Sequence, residues 1–110
     1  MRSGQGLLRR PPVADAVRTP VVIVNFKAFP EALGAKGLRL ADMCARVTEE
    51  TGASIAVAPS VPDLAAIAKR VRIPVLAQHV DGVESGEHTG WTPPHAILAA
   101  GAAGTLLNHS

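Results

Sequence analysis

With 110 residues, 47% of them hydrophobic, and a mean hydropathy of +0.21, the chain is one small domain or part of a larger one, with enough apolar material for a core. Aromatics make up only 3%, so that core is aliphatic and alanine-filled, and no run reaches the roughly 18 apolar residues a membrane span needs. The net charge of +2 divides unevenly: the first 20 residues, where Arg2, Arg9, Arg10 and Arg18 stand against Asp15 alone, sum to +3. The remainder carries −1, which gives no sign of a nucleic-acid groove.

Residues 1–19 combine Gly4, Gly6, the Pro11-Pro12 pair and scattered arginines without periodicity. They read as a basic, disordered N-terminal extension, and Leu7-Leu8 is too short for a signal-peptide core. The run Val21–Lys27 (Val-Val-Ile-Val-Asn-Phe-Lys) follows, apolar and β-branched before it turns polar, which suits a strand buried on both faces. If the extended conformation persists, Ile23, Asn25 and Lys27 share one side and Phe26 takes the other. An amide and an ammonium then emerge together from the carboxyl end of a strand, where α/β proteins bind ligands. A solvated lysine beside a turn-forming asparagine is the plainer alternative.

Ala28–Gly37 reads as a loop, and Leu40, Met43, Cys44 and Val47 then repeat as one stripe of a helix ending at Gly52. Cys44, the only cysteine, lies on that stripe as a buried, inert thiol; it cannot form an internal disulfide, which favours a reducing, cytoplasmic setting. Ser54–Ala58 is a second buried strand. Pro62–Val71 is a second helix with Leu64, Ile67, Ala68 and Val71 inward, Asp63 near its positive start and Lys69, Arg70 and Arg72 near its negative end. Val75–Gln78 is a third strand, and His79–Gly90 a glycine-bearing loop. Thr92 is the expected N-cap of a short third helix running to about Ala100, and Thr105–His109 is a fourth strand.

This βαβαβαβ order predicts a parallel α/β sheet with right-handed crossovers. Such an array gathers three polar strand ends on one rim: Asn25 with Lys27, Gln78 with His79, and Asn108 with His109. No metal motif joins His79, His88, His95 and His109 to Asp81, Glu84 and Glu87, and the glycines of residues 82–90 form no phosphate or dinucleotide fingerprint. Trp91 is expected to pack beside the start of the third helix.

With those residues in place, the sequence resembles triosephosphate isomerase, and most of all its short archaeal-type branch. The resemblance runs from about Pro20 to Ser110 and rests on three motifs in order. They are Asn25-Phe26-Lys27, Ala77-Gln78-His79 followed by Gly86-Glu87-His88-Thr89-Gly90, and Gly104-Thr105-Leu106-Leu107-Asn108-His109-Ser110. It implies the first half of a (β/α)8 barrel over residues 20–110. It also implies interconversion of dihydroxyacetone phosphate and glyceraldehyde 3-phosphate in glycolysis and gluconeogenesis, with no cofactor or metal and a homo-oligomeric whole. Lys27 matches the lysine that neutralises substrate phosphate and the developing enediolate. Asn25 matches the amide that positions that lysine, and His109 the imidazole that polarises the carbonyl and shuttles protons. Gln78 matches a supporting position, and Thr89 the loop tip that braces a neighbouring subunit. None of Glu31, Glu49, Glu50, Glu84 or Glu87 matches the family's glutamate base, so the chain is expected to be inactive alone. Two other readings stay open: a non-catalytic half-barrel that binds another chain, and a small α/β domain for a phosphorylated ligand.

Overall fold

A computed structural model describes residues 17–109. All but the last three residues of the proposed extension lie outside the described residues. Four parallel strands follow the chain in order: β1 (Val22–Asn25), β2 (Ile55–Ala58), β3 (Leu76–Ala77) and β4 (Gly104–Thr105). β1 pairs with β2 from Val22 opposite Ile55 to Asn25 opposite Ala58, and β3 pairs with β4 through Leu76–Gly104 and Ala77–Thr105. A single parallel bridge, Val57 to Val75, joins the two pairs, with the Val57 N–H donating to the Pro74 carbonyl at 3.1 Å. Spatial order therefore follows sequence order, as crossovers of one helix each require. The helices are α1 (Gly34–Thr51), α2 (Val61–Arg70) and α3 (Pro94–Ala99), with a 3-10 turn at Pro30–Ala32 ahead of α1. These strands and helices fit the first half of a parallel β/α barrel. None of the described helices is long and apolar enough to cross a membrane.

Two apolar clusters divide the strands by their pleat. Phe26, Val57, Val75 and Ala77 join Ala41, Cys44, Leu64 and Ile67 in the helix-side core. Ala56, Ala58, Leu76 and Ala103 form a smaller cluster on the opposite face. Phe26 thus turns to the helix layer as its strand position implies. On α2, Leu64, Ile67 and Ala68 are buried, as is Val71 at its C-cap, and full burial of Leu64 or Ile67 contributes about 1.5–3 kcal/mol each.

Elsewhere the structure corrects the sequence reading. β1 is not covered on both faces, because Val22 and Ile23 are 60% and 44% exposed. Its extended conformation ends at Asn25, since Lys27 has φ 53° and leaves the pleat. α1 begins at Gly34 rather than after Gly37. Its inward face is Gly37, Ala41 and Cys44, whereas Met43 is 59% exposed and Val47 is also exposed. The larger side chains suggested the stripe, but the close approach of the Pro30–Ala32 turn selects small residues. A Cβ on Gly37 would lie 2.6 Å from the Ala32 carbonyl oxygen. β3 and β4 are shorter than expected, and Asn108 has φ 56°, so residues 106–109 do not continue β4. The N-cap of α3 is Pro93 rather than Thr92, and proline has no side-chain oxygen to cap the helix. Trp91 is 55% exposed and meets His88 at 6.3 Å between ring centroids instead of packing under α3.

Candidate active site

The rim is assembled where β1, β2 and β3 end. The Ala58 carbonyl, last in β2, accepts the Phe26 N–H at 3.0 Å from β1 and the Gln78 side-chain amide at 2.9 Å from β3. One oxygen therefore ties three strand ends together. The same Gln78 Nε2 donates to the Lys27 carbonyl at 2.9 Å, and the Asn25 Oδ1 accepts the Lys27 N–H at 2.9 Å. Both backbone groups of Lys27 are thus held by side chains. That matters because a left-handed conformation at a non-glycine residue costs on the order of 1–2 kcal/mol and persists only where its surroundings fix it. The exposed Lys27 ammonium stands 5.9 Å above the Phe29 ring centre, a cation–π contact that leaves the charge in solvent.

Asn25, Lys27 and Gln78 are therefore brought into one hydrogen-bonded group. His109 lies four residues beyond Thr105 at the end of β4, exposed, just after the left-handed Asn108. At β4, Thr105 Oγ1 lies 3.2 Å from the Ala77 carbonyl and 2.9 Å from the Leu106 carbonyl, which fixes where the chain leaves the strand. Thr89 sits exposed in the loop between β3 and α3, apart from the Lys27 group in the chain's hydrogen-bond pattern.

Three contributors escaped the sequence reading. Asp63, read as a charge at a helix start, accepts the Gly34 N–H at 3.0 Å and so pins the start of α1 to α2. Gly37 admits the Ala32 carbonyl. Asp81 accepts the Thr92 N–H at 2.7 Å and meets His79 Nε2 at 2.8 Å; these hydrogen bonds, the Thr92 one first, hold its carboxyl below the ordinary range. An acidic residue two places after a strand-end histidine was the available signal. Burial pushes the Cys44 thiol up, which keeps it protonated and unreactive. No group of three or more histidine, cysteine and acidic residues suited to a metal occurs among the described residues.

A cavity of about 660 Å3 opens at the other end of the strands, lined by Arg18, Asp42, Arg46, Ser54, Arg70 and Pro74 among others. Its arginines sit where α1 and α2 present their negative ends, and Arg18 itself donates to the Gly52 carbonyl at 3.2 Å. Helix termini explain that charge. The strand-end rim is the candidate for chemistry, since barrel enzymes place theirs at the carboxyl face.

Comparison with known proteins gives the family. The triosephosphate isomerase family model matches residues 20–110. Triosephosphate isomerase of Methanothermobacter thermautotrophicus is 51% identical over 92 residues, covering 84% of this chain and 40% of the relative. That of Methanobacterium bryantii is 50% identical over 92 residues (84% and 41%), and that of Methanopyrus kandleri 49% identical over 96 residues (86% and 42%). The chain spans about two-fifths of the length of these curated relatives. With the family model matching residues 20–110 and relatives at this identity, the chain belongs to the triosephosphate isomerase family.

Proposed function

We propose that this chain supplies the carbonyl- and phosphate-binding side of a site that interconverts dihydroxyacetone phosphate and glyceraldehyde 3-phosphate. The observation that carries the reading is the double grip on Lys27: Asn25 holds its N–H and Gln78 its carbonyl, each at 2.9 Å. That grip aims a cation from the strand ends without using its ammonium. Moving a proton between adjacent carbons needs an electrophile at oxygen and a base at carbon. Lys27 neutralises the phosphate and the negative charge that develops on the enediolate. Asn25 adds an amide near the same oxyanion, and His109 polarises the carbonyl and carries protons between the two oxygens. The carbon base is a glutamate outside these 110 residues, and no cofactor or metal takes part. The buried, reduced Cys44 supports a cytoplasmic setting.

The test is complementation. The purified 110-residue chain is assayed for triose-phosphate isomerisation alone, and again after co-refolding with the remaining carboxyl-terminal part of the Methanothermobacter enzyme. No turnover alone is expected, since positioned acid–base groups contribute about 10²–10⁴-fold. Turnover in the mixture, lost with Lys27→Ala, is expected. Turnover by the single chain at an intact enzyme's rate, or a mixture indifferent to Lys27→Ala, overturns the proposal. The exposed Val22 and Ile23 favour a second reading, a non-catalytic half-barrel that pairs with another chain. Stoichiometric co-refolding without turnover is the result that selects it.

A further inference from the structure

The loop from Gly82 to Trp91 has almost nothing of its own to hold it. None of its side chains is buried, and among the described residues its internal ties are one backbone hydrogen bond, His88 N–H to the Gly86 carbonyl at 2.9 Å, and the His88–Trp91 ring contact. Its base is closed differently. The Asp81 N–H donates to the Thr92 carbonyl at 2.7 Å, while the Asp81 carboxylate accepts the Thr92 N–H at 2.7 Å through one oxygen and meets His79 Nε2 at 2.8 Å through the other. Backbone and side chain of one residue thus grip both backbone groups of another, eleven positions along the chain.

We propose that Asp81 is the positioning residue of this loop, locking its base so that His88, Thr89 and Trp91 are presented as one ordered element. The chemistry suits the task. A carboxylate accepts two hydrogen bonds in fixed directions, and bonds to an ionised acceptor are shorter and stronger than neutral ones. The lock also sits three residues after Gln78, whose side chain grips Lys27. The stretch 78–81 therefore carries the lysine's support at one end and the loop's anchor at the other. Its consequence for an assembled enzyme rests on the proposed role of Thr89 against a neighbouring subunit. The lock itself belongs to this chain and is testable in it.

Amide hydrogen exchange, followed by NMR on the full 110-residue chain, is the measurement, with Asp81→Ala and Asp81→Asn compared to wild type. In Asp81→Ala the Thr92 amide should exchange at least about tenfold faster, because one charge-assisted bond is lost. The His88 amide should follow, while Val57 and Ala103 in the strand core keep their protection. Asp81→Asn retains an acceptor oxygen in place and should restore most of the Thr92 protection, a rescue that general loosening would not give. Wild-type exchange at Thr92 in Asp81→Ala overturns the proposal whatever the complementation assay shows. Uniform loss of protection in both variants also overturns it, since the effect would then be global. Loss confined to residues 82–92 supports it even if complementation fails.

Discussion

At the residue scale, the site depends on side chains that hold backbone rather than on those that face solvent. Gln78 is the clearest case, because its amide donates to two carbonyls, Ala58 and Lys27. Replacing it by alanine leaves the half-buried Ala58 contact unfilled and should lower unfolding stability by about 1–3 kcal/mol in a urea titration. Gln78→Glu should be worse at neutral pH, as an ionised carboxylate has no proton for either carbonyl. Its folded-state pKa is then raised, so the sign reverses the usual acid behaviour: Gln78→Glu should regain stability as pH falls through that raised value. A melting temperature for Gln78→Glu that declines monotonically toward pH 4, in parallel with wild type, would defeat this account. Gly37 is the second case. A methyl group there would stand 2.6 Å from a backbone oxygen, so Gly37→Ala should lose about 1–3 kcal/mol even though alanine is the better helix former.

At the scale of elements, α1 and α2 are clamped together by Arg70, whose Nε and Nη2 reach Asp42 at 2.8–3.1 Å. The Arg70 hydrogen bond, ahead of its charge, holds the Asp42 carboxyl below its ordinary value, and Asp81 is lowered through Thr92 and His79. For a depressed carboxylate the stabilisation is fully present above the unfolded value near 3.8 and is lost as pH falls through the lower folded value. Acidification below about pH 4 should therefore loosen the α1–α2 contact and the loop base, and high salt should weaken the exposed Asp42 pair. Chemical shifts of the Arg70 side chain and the Thr92 amide, titrated from pH 6 to pH 2, report each separately; midpoints above 3.8 would contradict the assignment. How far the elements were legible follows from the same forces. α2 could be read because Leu64, Ile67 and Val71 are large, apolar and inward, with Ala68 beside them. In α1 the helix and its Gly52 end could be read but its inward face could not, since that face is glycine, alanine and cysteine, and hydrophobicity marks Met43 instead. Asn25, Lys27 and Gln78 were legible as a polar rim at strand ends. The Asp81–Thr92 lock was not: the spacing of His79 and Asp81 was the only hint, and the Thr92 backbone groups it grips carry no sequence signal.

At the scale of the whole molecule, the parallel order β1-β2-β3-β4 leaves one long side of β1 without a partner strand among the described residues. Val22 and Ile23 face solvent on that strand, and Leu107 does so beyond β4. In a closed barrel every strand has two neighbours, so these residues are where the remaining strands would join. An unpaired apolar edge invites pairing with another chain, and a domain of this size buries only roughly 60–65% of its unfolded surface. The 110-residue chain on its own should accordingly self-associate. Sedimentation velocity from about 5 to 200 µM should show a rising weight-average mass, and the melting temperature should rise with concentration, as mass action requires when folding and association are linked. Lysine at the exposed position of Ile23 should suppress both effects by making the edge costly to cover, while leaving the hydrogen-bonded group of Asn25, Lys27 and Gln78 in place. Leu107→Lys serves as the matching change beyond β4, and comparing the two identifies the edge that pairs. A chain that stays monomeric over this range, with a melting temperature independent of concentration, would mean that β1 is shielded by other means and that its exposed valine and isoleucine are not the seam of the barrel.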